Sequence, residues 1–470
     1  MAPSHSRSAF PKASGLEPER PGPTRLRGRF GAKSPWTEGL WCLALLGALG
    51  CGKAPHLSKS APQDGDFERP DLGPISAEGP FLGALADRVV VYGAASKKSE
   101  ELGYLHAGAQ VARSKKSLET SDCPGSFYQI APKGYVCSDG EATLGLDHPT
   151  LKAMALAPAL EGRLPYVYAR TTKVTTLYNK VRASKTTDKG VELTGRLSRN
   201  TAMAIVGSWT APDESREPQA LGLKLNGQFV RTEDLAPAEG TTFHGVELGG
   251  ASSLPFGFVV RRGIYSFRID AGGPAKELDI PYHTHLPLTG KFRNVRGSEM
   301  WALPDELWVR HQDITIVQRR HTLPDFAKGD QRWIDVSIVT GTLVLYEGDK
   351  PIFATLASVG RDRLGDSKTT ASTARGSFRV VAKHITRRDL GSPDEALHDA
   401  PWALELESGQ WLTASPIHDR FGIEHTDGNI EVSPVDGARI FRFATPELPE
   451  GWHGVRLGEN AQATLVHIRK

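Results

Sequence analysis

The feature that most limits what this 470-residue chain can become is the shortness of its apolar runs. From Arg88 onward, stretches rich in β-branched and aromatic residues (Val89–Tyr92, Gly103–Leu105, Gln110–Ala112, Phe127–Ile130, Gly134–Cys137) are cut off by Gly, Ser or Pro at close intervals. Such stretches read as short strands joined by tight turns, so the chain is expected to be mainly β, with a small barrel over residues 81–150. The same pattern recurs at Phe258–Arg261, Tyr265–Arg268 and Leu307–Arg310, which makes residues 151–328 a β-rich intermediate region. Within it, Gly290–Ile314 is expected to form a second barrel-like module.

No apolar run reaches the roughly 20 residues that a spanning helix needs, which excludes a multi-span helical membrane protein. At roughly 100 to 200 residues per domain, the length implies two to four units. The formal charge of +3 is misleading. Residues 1–50 hold seven Lys/Arg (Arg7, Lys12, Arg20, Arg25, Arg27, Arg29, Lys33) against three acids (Glu17, Glu19, Glu38), so the remainder sits near −1. A near-neutral body without a basic stripe has no means of neutralising phosphates, and no nucleic-acid partner is expected.

The basic stretch ends at Pro35, and the apolar segment Gly39–Gly50 leads into Cys51-Gly52-Lys53. Basic, then apolar, then small residues is the order of a secretory signal, here residues 1–50. Ala48-Leu49-Gly50-Cys51 resembles a bacterial lipobox, with Ala48 where that family usually has leucine. The resemblance implies lipidation at Cys51, a membrane contact through that lipid anchor, and an exported, membrane-anchored envelope protein (periplasm or outer membrane). The long basic region also allows translation to start downstream of Met1. Residues 51–80, mostly Pro, Gly, Ser and Asp, read as a flexible tether. In an exported body the two remaining cysteines, Cys123 and Cys137, are expected to form a disulfide contributing about 3 kcal/mol.

The stretch Leu102–Val111 with Phe127–Cys137 resembles a bacterial SH3-like domain. In envelope proteins that resemblance implies either a module oriented on peptidoglycan or a spacer. His283 and His285 could share one face of a strand, but no third ligand stands at a telling spacing, and neither a metal nor any other cofactor is expected.

From Arg332 the sequence runs through two β-rich stretches flanking the turn Glu347–Pro351, which reads as a hairpin. Further on stand Thr369–Lys383, Ala400-Pro401-Trp402, His418–Gly422, Gly428, Ile430, Ser433-Pro434, Asp436, Ala438, Phe441 and Leu448–Val455. In this order the words resemble the YkuD-type L,D-transpeptidase domain, over residues 329–470, and imply its β-sandwich or barrel. The resemblance places the family's cysteine nucleophile at Asn429, its histidine base at Asp427, the basic or amide residue at Glu431, and an upstream His-Gly at Thr413-Ala414. Gly428 is kept, while the reactive positions Thr413, Asp427, Asn429 and Glu431 all depart.

An amide cannot replace a thiolate, and without one there is no acyl-enzyme. Family-type transpeptidation is therefore expected to be absent. His418, His425 and Thr426, with Ser415 nearby, are candidate substitutes for a rearranged nucleophile and base, because His425 and Asp427 would share one side of an extended segment. Three readings follow: a pseudoenzyme binding peptidoglycan or a cell-wall enzyme, an active transpeptidase or hydrolase with a rearranged site, and a structural spacer. If Glu424, Asp427 and Glu431 line a retained groove, it favours cationic ligands such as the free amine of diaminopimelate.

Overall fold

A computed structural model describes residue 67 and residues 69–154, 158–180, 191–211, 219–249, 254–388 and 397–470. Cys51 and the whole of 1–50 lie outside the described residues. The chain is mainly β, and among the described residues no helix is long and apolar enough to cross a membrane.

The expected N-terminal strands form. Val89–Tyr92 pairs with Glu101–Leu105 and with Tyr135–Cys137, which in turn pairs with Phe127–Gln129. Phe81–Ala84 lies between Gln110–Ala112 and Ala142–Thr143 in a separate three-stranded sheet. The expected disulfide joins Cys123 to Cys137, whose Cα atoms are 5.9 Å apart and whose side chains pack against buried Phe127 and Tyr135.

The C-terminal region begins with an antiparallel meander, Arg332–Ser337, Thr342–Glu347 and Lys350–Leu356. The second turn is the hairpin expected at Glu347–Pro351. The first, near Gly341 (φ +62°), is an additional one that divides what reads in sequence as a single run. Leu465–Arg469 lies parallel to Arg332–Ser337 and antiparallel to the long strand Gly376–Arg388, which also pairs with Asp399–Leu406 and Gly454–Arg456. The helix Pro434–Phe443 starts where the Ser433 hydroxyl caps Asp436 N–H and proline takes the first turn; it buries Ile440, Phe441 and Phe443.

The N-terminal strands are continuous with this sheet. Gly103 and Tyr104 pair with Val455 and Gly454, and a Cβ on either glycine would overlap the partner strand or the Tyr104 ring. The intermediate region contributes a seven-stranded sheet over Val167–Pro237 and a five-stranded one over Ile264–Arg310. Tyr166, Tyr168 and Val206 share a hydrophobic core with Ile334, Val336 and Leu404. Strand Val246–Glu247 extends the C-terminal meander at Lys350–Leu356.

Candidate functional site

Three backbone segments build the locus of the expected site residues. Trp411–Ala414, carrying Thr413, runs parallel to Ile430–Val432 with Thr413 opposite Glu431. The short strand Glu424–Thr426 brings in His425 and Thr426 and lies parallel to Val359–Gly360. A turn then passes through Gly428 at φ +98°, a conformation that favours glycine, and delivers Asn429.

Almost every polar group here is engaged by a neighbour. Asn429 Oδ1 accepts from the Trp411 backbone N–H at 3.1 Å, and Gln410 Nε2 donates to Gly428 O at 2.6 Å. The Thr426 hydroxyl donates to Asn429 O. His418 Nδ1 accepts the Arg420 backbone N–H at 3.1 Å, which puts the ring proton on Nε2, and Nε2–H donates to Glu431 Oε2 at 2.7 Å. Glu431 is further pinned by both backbone hydrogen bonds to Ser358, at 2.7 and 3.0 Å. Thr413 is buried, as is Ser415, whose hydroxyl has no hydrogen-bond partner among the described residues.

His425 and Asp427 take different neighbours, because strand geometry stops at Thr426. The His425 ring packs edge-on against His418 with centroids 4.4 Å apart, whereas Asp427 forms an ion pair with Arg361 at 2.6 Å. Glu424 is paired with Arg363. The segment carrying these arginines lies against the turn: Ala374 N–H donates to Gln410 Oε1 at 3.0 Å, and Ser372 O faces Gly428.

Two chemical consequences follow. A general base needs a free lone pair, and the His418 Nδ1 lone pair is held by the Arg420 backbone amide. The Thr426 proton is likewise committed to a carbonyl. Of the acids expected to line a groove, Glu424 and Asp427 are ion-paired with Arg363 and Arg361, while Glu431 accepts the His418 Nε2–H. The sequence reading missed both arginines, although their i, i+2 spacing after Gly360 could have placed two cations on one side of an extended segment.

Beside this locus lies a cleft of about 1060 Å³ bordered by Thr241–Glu247, Tyr282–His285 and Asp419. His283 adopts φ +68° and stacks on Tyr282 (3.8 Å between centroids) and on Phe243 (4.4 Å). Burial pushes its pKa down to about 4, so it is neutral at pH 7. His285 instead rests against Phe256 at 4.7 Å. Among the described residues no group of three or more His, Cys, Asp or Glu could hold a metal ion. Asp436 accepts from Gly245 N–H at 2.9 Å and from the Thr355 hydroxyl, and burial pushes its carboxyl up to about 6.

No protein-family model and no curated protein matches this chain. Among solved structures it is similar to an L,D-transpeptidase from Xylanimonas cellulosilytica (16% identity, 32% of this chain and 65% of that one, TM-score 0.22). Another is an L,D-transpeptidase from Stackebrandtia nassauensis (14% identity, 32% and 62%, TM-score 0.23). A third is from Mycobacterium smegmatis (18% identity, 39% and 82%, TM-score 0.24). The chain spans under two thirds of the first two. Likeness at this level carries no argument about activity.

Proposed function

We propose that this protein is an exported envelope lipoprotein, anchored through Cys51, whose C-terminal region is a non-catalytic relative of the L,D-transpeptidases that associates with peptidoglycan. The observation that carries the non-catalytic part is the engagement of Asn429, Thr426 and His418 by their neighbours in the 411–431 locus. Asn429 clips one strand to the next, and His418 spends both ring nitrogens on Arg420 N–H and Glu431. Framework words persist around it, from Thr369–Lys383 to Leu448–Val455, while Thr413, Asp427, Asn429 and Glu431 replace the reactive positions together. That pattern supports recruitment of the scaffold to binding. The SH3-like resemblance of residues 81–150 supports the same destination.

Co-sedimentation of the protein with purified sacculi tests the wall association. Retention in the pellet, lost after the sacculi are digested with a muramidase, is expected; recovery entirely in the supernatant would remove the wall-binding role and leave a spacer. Incorporation of labelled palmitate, abolished by Cys51→Ala, is the expected signature of the anchor.

A further inference from the structure

A cavity of about 610 Å³ opens between the edge strand Ile314–Val317, with residues 318–322 that follow it, and one face of the C-terminal sheet. Asp335, Val344, Tyr346 and Arg469 share that face: Asp335 stands opposite Val344, Trp333 opposite Tyr346 and Ser337 opposite Arg469, and alternate residues of a strand point the same way. Asp335, 2% exposed, is the one acid lining the cavity among the described residues. Its carboxylate is divided between two guanidiniums. Arg320 Nη1 donates to Oδ1 at 2.6 Å, while Arg469 Nε and Nη2 donate to Oδ2 at 3.1 and 2.9 Å. Arg319 adds a third guanidinium to the wall and has neither a hydrogen bond nor an ion pair among the described residues.

Three guanidiniums thus face one carboxylate, and the surrounding acids are engaged elsewhere. Glu299 takes His311 at 3.0 Å and the Trp301 indole N–H at 2.7 Å, and Asp313 lies in the field of Arg310 and Arg261. Lys470 O accepts from Arg469 Nη1 at 3.0 Å, and a terminal carboxylate there is offset by that residue's own ammonium. A second cavity, of about 570 Å³ beside Tyr104 and His384, differs in this respect, since Arg88, Arg387 and Arg456 share its wall with Asp87, Asp399 and Glu405.

The Tyr346 side chain, 2% exposed and stacked on Trp333 with centroids 4.1 Å apart, also lines the first cavity. Its hydroxyl has no hydrogen-bond partner among the described residues, whereas buried polar groups are as a rule hydrogen-bonded. Burial pushes that hydroxyl up to about 12, against the opposing pull of Arg320, Arg469 and Arg319, so all three guanidiniums act on one point of the wall. Guanidinium forks suit carboxylate and phosphate oxygens. Ile316, Val339 and Val344 complete the lining with apolar surface, which suits a ligand with a carbon body.

We propose that this cavity binds an organic oxyanion, its carboxylate or phosphate held by Arg319, Arg320 and the Tyr346 hydroxyl and its carbon body set against Ile316 and Val344. Asp335 is a positioning residue that fixes Arg320 and Arg469 without neutralising both. The site shares no residue with the 411–431 locus and is independent of any wall-binding role.

The test is calorimetric titration of the whole chain at low ionic strength with butyrate and, separately, with butyl phosphate. It is run on the wild type, on Arg319→Gln, on Tyr346→Phe, and on the control Arg361→Gln, whose arginine serves the other locus. Neither test variant removes a contact that holds the fold, so both are expected to keep the wild-type melting temperature. Saturable binding of at least one probe is expected for wild type and control, weakened at least about tenfold by Arg319→Gln and about threefold by Tyr346→Phe. The probe that binds identifies the carboxylate or the phosphate as the source chemistry. Absence of saturation with both probes, binding undiminished in either test variant, or an equal loss in the control would overturn the proposal.

Discussion

The 411–431 locus and the Tyr104–His384 cavity contain similar residue types, histidine beside glutamate with arginines near, yet they differ in how those groups are used. In the first, His418 has donated to Glu431 and accepted from Arg420, and Glu424 and Asp427 are paired with Arg363 and Arg361. In the second, the buried His384 ring meets the Tyr104 hydroxyl at 2.9 Å and stands 3.6 Å from Glu405, and Arg387 and Arg456 share the cavity wall with Asp87, Asp399 and Glu405. Trp411 joins the two: its backbone N–H holds Asn429 while its ring lies against His384 and Arg387. The difference teaches that residue type does not identify a site here; the balance of donors and acceptors does.

Cutting a buried, engaged hydrogen-bond pair costs stability, whereas an arginine at an exposed rim can be removed at little cost to the fold. Glu431→Ala leaves His418 Nε2–H, on a side chain only 5% exposed, without an acceptor, and is expected to destabilise by about 2 to 3 kcal/mol in urea unfolding. A neutral or stabilising result would move the locus into the same class as the cavity.

The strand Gly376–Arg388 connects both regions and carries a buried titratable group, Lys383, next to His384. Lys383 Nζ donates to Ala444 O at 2.7 Å, and burial depresses its pKa to about 7. A depressed folded-state pKa gives stability that is fully present above the unfolded value and lost as pH falls through the folded one. Wild-type stability is therefore expected to rise by about 2 kcal/mol between about pH 7 and pH 9, and Lys383→Met to flatten that slope. An equal slope in both proteins would show that Lys383 does not titrate as its burial implies.

Tyr104→Phe removes one buried hydrogen bond to His384 and should cost about 1 kcal/mol, read as a lowered melting temperature. Arg387→Gln, at the open rim, should change apo stability by less than about 0.5 kcal/mol, as should Arg361→Gln, whose ion pair with Asp427 is half exposed. A large loss at Arg387 would mean that the guanidinium is structural after all.

Much of the fold was legible because strands announce themselves locally. Val89–Tyr92, Gln110–Ala112 and Leu307–Arg310 are alternating or β-branched runs with turn residues at their ends, and all three form as read. The cysteine pair was legible because only two cysteines remain beyond Cys51. The turn before Gly341 was hidden inside one continuous β-rich run, since glycine marks a break only when its neighbours also favour one. At the locus, sequence names the side chains at 411–431 but not that Arg361, Arg363 and Gln410 engage their neighbours there. The cavity was illegible altogether: Tyr104 and His384 meet through the pairing of Glu101–Leu105 and Gly376–Arg388 with opposite edges of Gly454–Arg456, and no spacing rule reaches across that distance.

The central claim, that the 411–431 locus carries no acylating nucleophile, is tested most directly by incubating the intact protein with a carbapenem and measuring its mass. An unchanged mass is predicted. An increase equal to one carbapenem, mapped to any residue of 411–431, would contradict it.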